Sequence, residues 1–369
     1  MRIAFDHQIF GWQEYGGISR YFFELASELA TTCGQDVQVV APLYVNHYLT
    51  RAPSALQVLG RPSLYLPKSG RLYRFVNSLL AAPLWKGLQP DIVHETYYAS
   101  SRLAPKDAKV VLTVFDMIHE RCKESFSAYD PISREKMQAV ERADHVICIS
   151  EQTRRDLIEL FDVDPGKTSV VYLGFSLTSS SGTQPSNNIA PRRPFLLYVG
   201  KRGGYKNFAG LLRAYAASPQ LSAECDLICF GGGGLTAAER SLMRQLNLSA
   251  ERVRQVSGGD ELLEGYYRAA RAFVFPSLYE GFGIPPLEAM SFDCPVVCSG
   301  VSSIPEVVGD AALVFDPNDP EAMRGAIERV LMDQPLRQSL IMRGRKRIES
   351  FSWRRCAEET LKVYQQVLG

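Results

Sequence analysis

One pattern governs most of this chain: a short apolar or β-branched run, then a stretch with helical spacing, repeated in both halves. In the first half the runs are Ile3–Asp6, Val37–Ala41, Ile92–Glu95, Val110–Phe115, His145–Ser150 and Ser169–Leu173. In the second they are Phe195–Gly200, Asp226–Phe230, Ala272–Phe275, Pro295–Ser299 and Ala312–Phe315. A strand that is apolar throughout has to be covered on both faces. Alternation with helices therefore predicts parallel sheets packed between helical layers, an α/β fold. Between the two series, Leu177 to Pro191 is rich in Ser, Asn, Thr and Pro and carries no charge, which reads as a linker. The expected organisation is a domain at 1–176, a linker at 177–193, a second domain at 194–350 and a terminal helical segment at 351–369. A length of 369 residues suits about two to three domains. In the tail, Trp353, Leu361, Val363, Tyr364 and Val367 give the segment Phe351–Leu368 a packing face.

Composition excludes several classes. A net charge of +1 leaves no global footprint for nucleic acid. No run of about 20 apolar residues is present to span a membrane. A strand at Arg2–Asp6 leaves no room for a leader peptide, so a cytoplasmic protein is expected. The eight cysteines show no paired C-x2-C spacing of a zinc site, and the two C-x3-C pairs fall in or beside strand-like runs, as buried thiols do.

The chemistry concentrates at Pro276-Ser-Leu-Tyr-Glu-Gly-Phe-Gly-Ile-Pro-Pro-Leu-Glu-Ala-Met290, after the run Ala272–Phe275. Tandem prolines are suited to open a helix, since proline presets φ and lacks an N–H that the first turn leaves unbonded. Glu280 then lies on a glycine-containing loop and Glu288 in the first helical turn. An ionised carboxylate only accepts hydrogen bonds, so the pair suits a neutral donor of several, such as sugar hydroxyls. The segment Tyr198-Val-Gly-Lys-Arg-Gly-Gly-Tyr-Lys-Asn207 places Lys201, Arg202 and Lys206 beside three glycines at a strand-to-helix turn, a composition that fits a pyrophosphate and equally a solvated basic turn. Gly16 and Gly17 form a tight turn ahead of a helix from Tyr21 to Ala30. Asp162 and Asp164 have the spacing of a metal-binding pair, but Pro165-Gly166-Lys167 marks a turn there, and no metal is expected.

The Glu280–Glu288 run resembles the E-x7-E signature of retaining glycosyltransferases of the GT-B fold, family 4 (group 1). That resemblance implies two Rossmann-like domains with parallel sheets facing a cleft. It implies that Glu280 contacts the transferred sugar and Glu288 the ribose of a nucleotide-sugar donor. Gly281, Phe282, Gly283 and Leu287 would line that donor. Lys206, with either Lys201 or Arg202, would neutralise the departing diphosphate, and Gly16 and Gly17 would face its phosphates. The family's His-Asp pair at the end of a first-domain strand becomes Phe115-Asp116 here, with His119 further on; Asp116 and His119 are the candidates near the reacting sugar. The opening Phe5-Asp-His-Gln-Ile-Phe and the run Gly-Gly-Ile-Ser-Arg-Tyr-Phe22 are similar to bacterial enzymes that add mannose or rhamnose to O-antigen or exopolysaccharide, which implies GDP-mannose as donor and a glycan or lipid-linked acceptor. The charge of the lysines makes a metal unnecessary, and no cofactor is expected. A sugar-nucleotide epimerase and a non-catalytic nucleotide-sugar or glycan binder would share much of this pattern.

One anomaly stands apart. From Val37 to Pro90 there is no Asp or Glu, yet Arg51, Arg61, Lys68, Arg71, Arg74 and Lys86 are interleaved with apolar residues. This fits an anionic membrane surface or a lipid-pyrophosphate acceptor, and also a basic solvated face over ordinary core helices.

Overall fold

The computed structural model describes residues 1–64, 70–175 and 193–369, so nearly all of the expected linker lies outside the described residues, as do Lys68 and the side chains of Arg71 and Leu72. The chain divides into two compact units. The first comprises 1–120, 128–174 and 351–369; the second comprises 121–127 and 175–350.

In the first unit the strands are β1 (Arg2–Phe5), β2 (Asp36–Tyr44), β3 (Gln57–Pro62), β4 (Ile92–Glu95), β5 (Lys109–Val114), β6 (His145–Cys148) and β7 (Thr168–Val170). They form one parallel sheet in the order β3-β2-β1-β4-β5-β6-β7. The second unit holds β8 (Phe195–Val199), β9 (Asp226–Phe230), β10 (Val253–Val256), β11 (Ala272–Phe275), β12 (Val296–Ser299) and β13 (Ala312–Phe315), again all parallel, in the order β10-β9-β8-β11-β12-β13. In both sheets the order reverses beside the unit's first strand, between β1 and β4 and between β8 and β11. Loops leaving the carboxyl ends of those neighbours splay apart and open the crevice where α/β proteins bind ligands.

Both sheets are held by the runs that predicted them. Leu196, Leu197, Ala272, Phe273 and Val274 are fully buried, as are Ile3, Ala4, Ile92 and Val93. Each large apolar side chain so covered contributes about 1.5–3 kcal/mol. Two strands, β3 and β10, carry no continuous apolar run and escape the sequence pattern. Each lies at a sheet edge with only one neighbour, where half-buried sequences such as Val-Arg-Gln-Val suffice.

The last helix, Trp353–Leu368, belongs to the first unit. Ser352 caps it through Arg355 N–H at 3.2 Å, and it lies along the helix Gly17–Thr31, with the Trp353 and Tyr21 rings 6.1 Å apart. Tyr364 hydroxyl and His94 Nδ1, 2.6 Å apart, tie it to β4. The structure differs from the expected domain limits at 121–127. The turn Lys123–Ser125 packs on the turn Gly204–Lys206 of the second unit, and Phe126 stacks on Tyr205 with ring centres 6.3 Å apart. That excursion has no apolar periodicity to announce it.

Candidate active site

In the second unit the two predicted motifs leave the two strands that flank the reversal of order. The loop after β8 carries Lys201 to Asn207, and the loop after β11 carries Pro276 to Gly283. Leu278 N–H donates to Tyr205 carbonyl at 2.7 Å and joins the loops. Lys206 Nζ then donates to Glu280 Oε1 at 2.7 Å. Lys206 also lies over the rings of Tyr205 (5.2 Å) and Phe275 (5.8 Å), which hold the ammonium by cation–π attraction. The pair is half-buried, with side-chain exposures of 22% and 10%. An ammonium has three donors, so one bond to Glu280 leaves donors for an incoming anion.

Glu280 sits on a braced loop. Ser302 hydroxyl accepts from Glu280 N–H at 3.2 Å and donates to its carbonyl at 2.7 Å. The buried Ser303 hydroxyl lies 2.9 Å from the carbonyls of both Glu280 and Phe282. Gly281 and Phe282 are buried. Gly283 takes φ 113° at the start of the helix Ile284–Ser291, a conformation that L side chains rarely adopt, and Pro285 and Pro286 fill the first turn as predicted. Leu287 is fully buried beneath that turn. Glu288 Oε2 accepts from Tyr267 hydroxyl at 3.1 Å. Burial and the neighbouring Glu288 push the Tyr267 hydroxyl far above its ordinary value, so it stays protonated and donates.

The structure separates Lys201 from Arg202. Lys201 is exposed. Arg202 is buried and its guanidinium is turned inward: it donates to Glu239 Oε1 at 3.0 Å and to the carbonyls of Gly231 (2.9 Å), Gly233 (2.7 Å) and Gly234 (3.0 Å). Arg202 thereby shapes the glycine loop after β9. A Cβ on Gly232, whose φ is 69°, would lie 2.5 Å from Gly200 carbonyl. The tetraglycine run is visible in sequence; the arginine that holds it comes from another strand's loop. A cavity of about 410 Å³ adjoins Lys201, Arg202 and Gly232 between the helices Phe208–Ala216 and Ala237–Gln245.

In the first unit Gly16 and Gly17 open the helix Gly17–Thr31. Gln13 Oε1 accepts from Ser19 N–H at 3.2 Å and occupies part of that helix end. Asp116 follows β5; its Oδ1 accepts from Ile118 N–H at 3.0 Å and starts the short helix Ile118–Arg121. Lys136, only 1% exposed, donates to Asp116 carbonyl (2.9 Å) and Glu120 Oε2 (2.8 Å), with Asp116 Oδ1 at 3.9 Å. A buried lysine that fixes Asp116 from twenty residues away leaves no signal in sequence. His119 Nε2 lies 3.6 Å from Asp130 Oδ2. Phe115, where the resembled histidine would fall, turns into the core edge-on against Tyr21, with centroids 5.2 Å apart. Asp162 ends the helix Glu151–Phe161 in a left-handed conformation, and Asp164 accepts from Gly166 N–H at 2.9 Å, so both serve a turn.

Among the described residues no helix is long and apolar enough to cross a membrane. Every cysteine but Cys33 is buried, and burial pushes the Cys229 and Cys356 thiols up to about 12.

Comparison with known proteins places these features. Residues 182–347 match the family described as Glycosyl transferases group 1, and residues 15–179 match Glycosyltransferase Family 4. The O-antigen chain mannosyltransferase B of Escherichia coli is 30% identical over 95% of this chain and 96% of its own length. Among solved structures, sucrose-phosphate synthase from Thermosynechococcus elongatus superposes with a TM-score of 0.75 at 22% identity, covering 99% of this chain and 98% of that one. The Anabaena protein HepE, solved in complex with UDP and glucose, gives 0.72 at 18% identity over 99% of this chain and all of its own. Two parallel sheets with reversed strand order, the glutamate pair on its proline-opened helix and these matches over nearly the whole chain agree: the protein belongs to the GT-B glycosyltransferases of family 4 (group 1).

Proposed function

We propose that this glycosyltransferase moves mannose from GDP-mannose, with retention of configuration and without a metal, onto a glycan or lipid-linked acceptor in O-antigen or exopolysaccharide synthesis. The Lys206–Glu280 pair at 2.7 Å beside the β8–β11 reversal carries the reading. Transfer of a glycosyl group leaves a nucleoside diphosphate whose charge grows as the bond breaks. A lysine fixed in a partly buried site stabilises that growing charge with little reorganisation. Lys206 takes this role, with Lys201 as the second cation. Glu280 accepts hydroxyl protons of the sugar. Glu288, at the start of the proline-opened helix, takes the ribose diol, since a carboxylate accepts several hydrogen bonds at once. Asp116, with its backbone fixed by Lys136, and His119 belong to the acceptor side in the first unit. No pair of carboxylates is cast as nucleophile and acid; in the family's usual account the donor phosphate removes the acceptor proton.

Mannose is favoured by the E. coli mannosyltransferase at 30% identity over nearly the whole chain. The exposed Phe75, Leu79 and Leu80 on the helix Gly70–Leu88, with Arg74 and Lys86 on the same helix, support contact with an anionic membrane. Arg74→Ser with Lys86→Ser should reduce sedimentation with phosphatidylglycerol liposomes, and unchanged sedimentation would remove that part of the reading. A thermal-shift screen of GDP, UDP, ADP and their sugars tests the donor, since a ligand that binds only the native state raises the melting temperature. GDP and GDP-mannose are expected to give the largest rise. A larger rise with UDP or ADP would replace the donor, and no rise with any would remove the site.

A further inference from the structure

In the first unit a series of aromatic rings runs from the surface to Asp116. Trp12 is 49% exposed, and its ring lies 5.2 Å from that of Tyr97. Tyr97 is 4.7 Å from Tyr98. Tyr98 hydroxyl accepts from Phe115 N–H at 3.5 Å, one residue before Asp116. Trp12 leaves the loop after β1, Tyr97 and Tyr98 the loop after β4, and Asp116 the end of β5, so the series sits at the reversal of strand order in this sheet. Charged groups accompany it. Burial and the carboxylates of Asp116, Asp130 and Glu135 push the Tyr97 hydroxyl upward, while Arg74 pulls it down. Arg74 Nη1 stands 3.6 Å from Glu135 Oε2. In the same loop as Trp12, His7 is buried and neither ring nitrogen has a hydrogen-bond partner among the described residues.

Flat rings beside guanidinium and carboxylate groups match one ligand class. A pyranose offers an apolar C–H face for the ring and hydroxyls at its rim for the charges. A lipid tail would not use the charges, and a bare anion would be repelled by the three carboxylates. We propose that Trp12 and Tyr97 form the platform for the acceptor's terminal saccharide, with Glu135 reading its hydroxyls. This deepens the transferase reading and rests on it for the word acceptor; the saccharide site itself stands on the first unit alone.

The test uses the full chain without donor. Of the three tryptophans, Trp85 and Trp353 are buried, so a ligand-dependent change in emission reports Trp12. Titration with α-mannotriose, maltotriose and chitotriose should give a saturable change with at least one of them, absent in Trp12→Phe. In transfer assays Trp12→Ala should raise the acceptor KM about three- to tenfold, the worth of one ring contact, and Trp12→Phe, which keeps a ring there, should restore most of that loss. No emission change with any of the three sugars overturns the platform, as does an unchanged KM in Trp12→Ala. If no nucleotide sugar is turned over, the transferase reading fails, and the titration still decides the platform by itself.

Discussion

Lys206 and Glu280 make opposite predictions for nucleotide binding, which separates a working site from a structural ion pair. Lys206 Nζ spends one of its three donors on Glu280 at 2.7 Å, and in the proposed function the others meet a phosphate. A unit charge about 4 Å from a phosphate is worth about 4 kcal/mol at an effective dielectric of 20. The 22% exposure of Lys206 admits some screening, and hydrogen bonds to charged groups measure about 1.5–3 kcal/mol. Lys206→Ala should therefore weaken GDP by about 2 kcal/mol, roughly 30-fold in Kd. GMP, which lacks the outer phosphate, should change much less. Glu280→Gln removes a negative charge that repels the same phosphate, so GDP should bind at least as tightly, by up to about fivefold, although transfer is lost. Isothermal titration of both variants with GDP and GMP reads this directly. An unchanged ratio of GDP to GMP affinity in Lys206→Ala would refute the phosphate role. Equal losses of GDP in both variants would reduce the pair to a scaffold.

Arg202→Met strands the carbonyls of the glycine loop and the carboxylate of Glu239; it should destabilise the second unit by about 3–5 kcal/mol in denaturant melts, where a merely solvated arginine would cost almost nothing. His94 is held neutral by burial between Tyr364 and Thr113, its pKa lowered from 6.5 to about 3. Because the folded value is depressed, its contribution is complete above pH 6.5 and is lost as pH falls toward 3, reaching about 2 kcal/mol lost at pH 5. Urea midpoints at pH 7.5 and 5 should show that loss in the wild type and a smaller one in His94→Gln, and equal losses would exclude His94 as its source.

The fold was readable because central parallel strands must be apolar on both faces, and eleven such runs stand out in the chain. What escaped obeys other rules: β3 and β10 are edge strands, and Arg121–Ser127 crosses to the other unit on the packing of Phe126 with Tyr205. At the site, the Glu280 loop and its proline-opened helix were legible because both depend on local backbone geometry. The choice between Lys201 and Arg202 was not. Adjacent cations are separated only by where each side chain points, and Arg202 points at glycines almost thirty residues away. Lys136 and the serines that brace Glu280 act at similar distances in sequence, through contacts that only folding creates.

The central claim is a retaining transfer of mannose from a nucleotide donor. Incubation with GDP-mannose and α-mannotriose, followed by mass spectrometry and proton NMR of the product, tests it most directly. The expected product is an oligosaccharide one hexose longer, its new linkage α, and none is expected with Lys206→Ala. A β linkage would contradict retention, and an unextended acceptor with every nucleotide sugar and saccharide tried would contradict the proposed reaction.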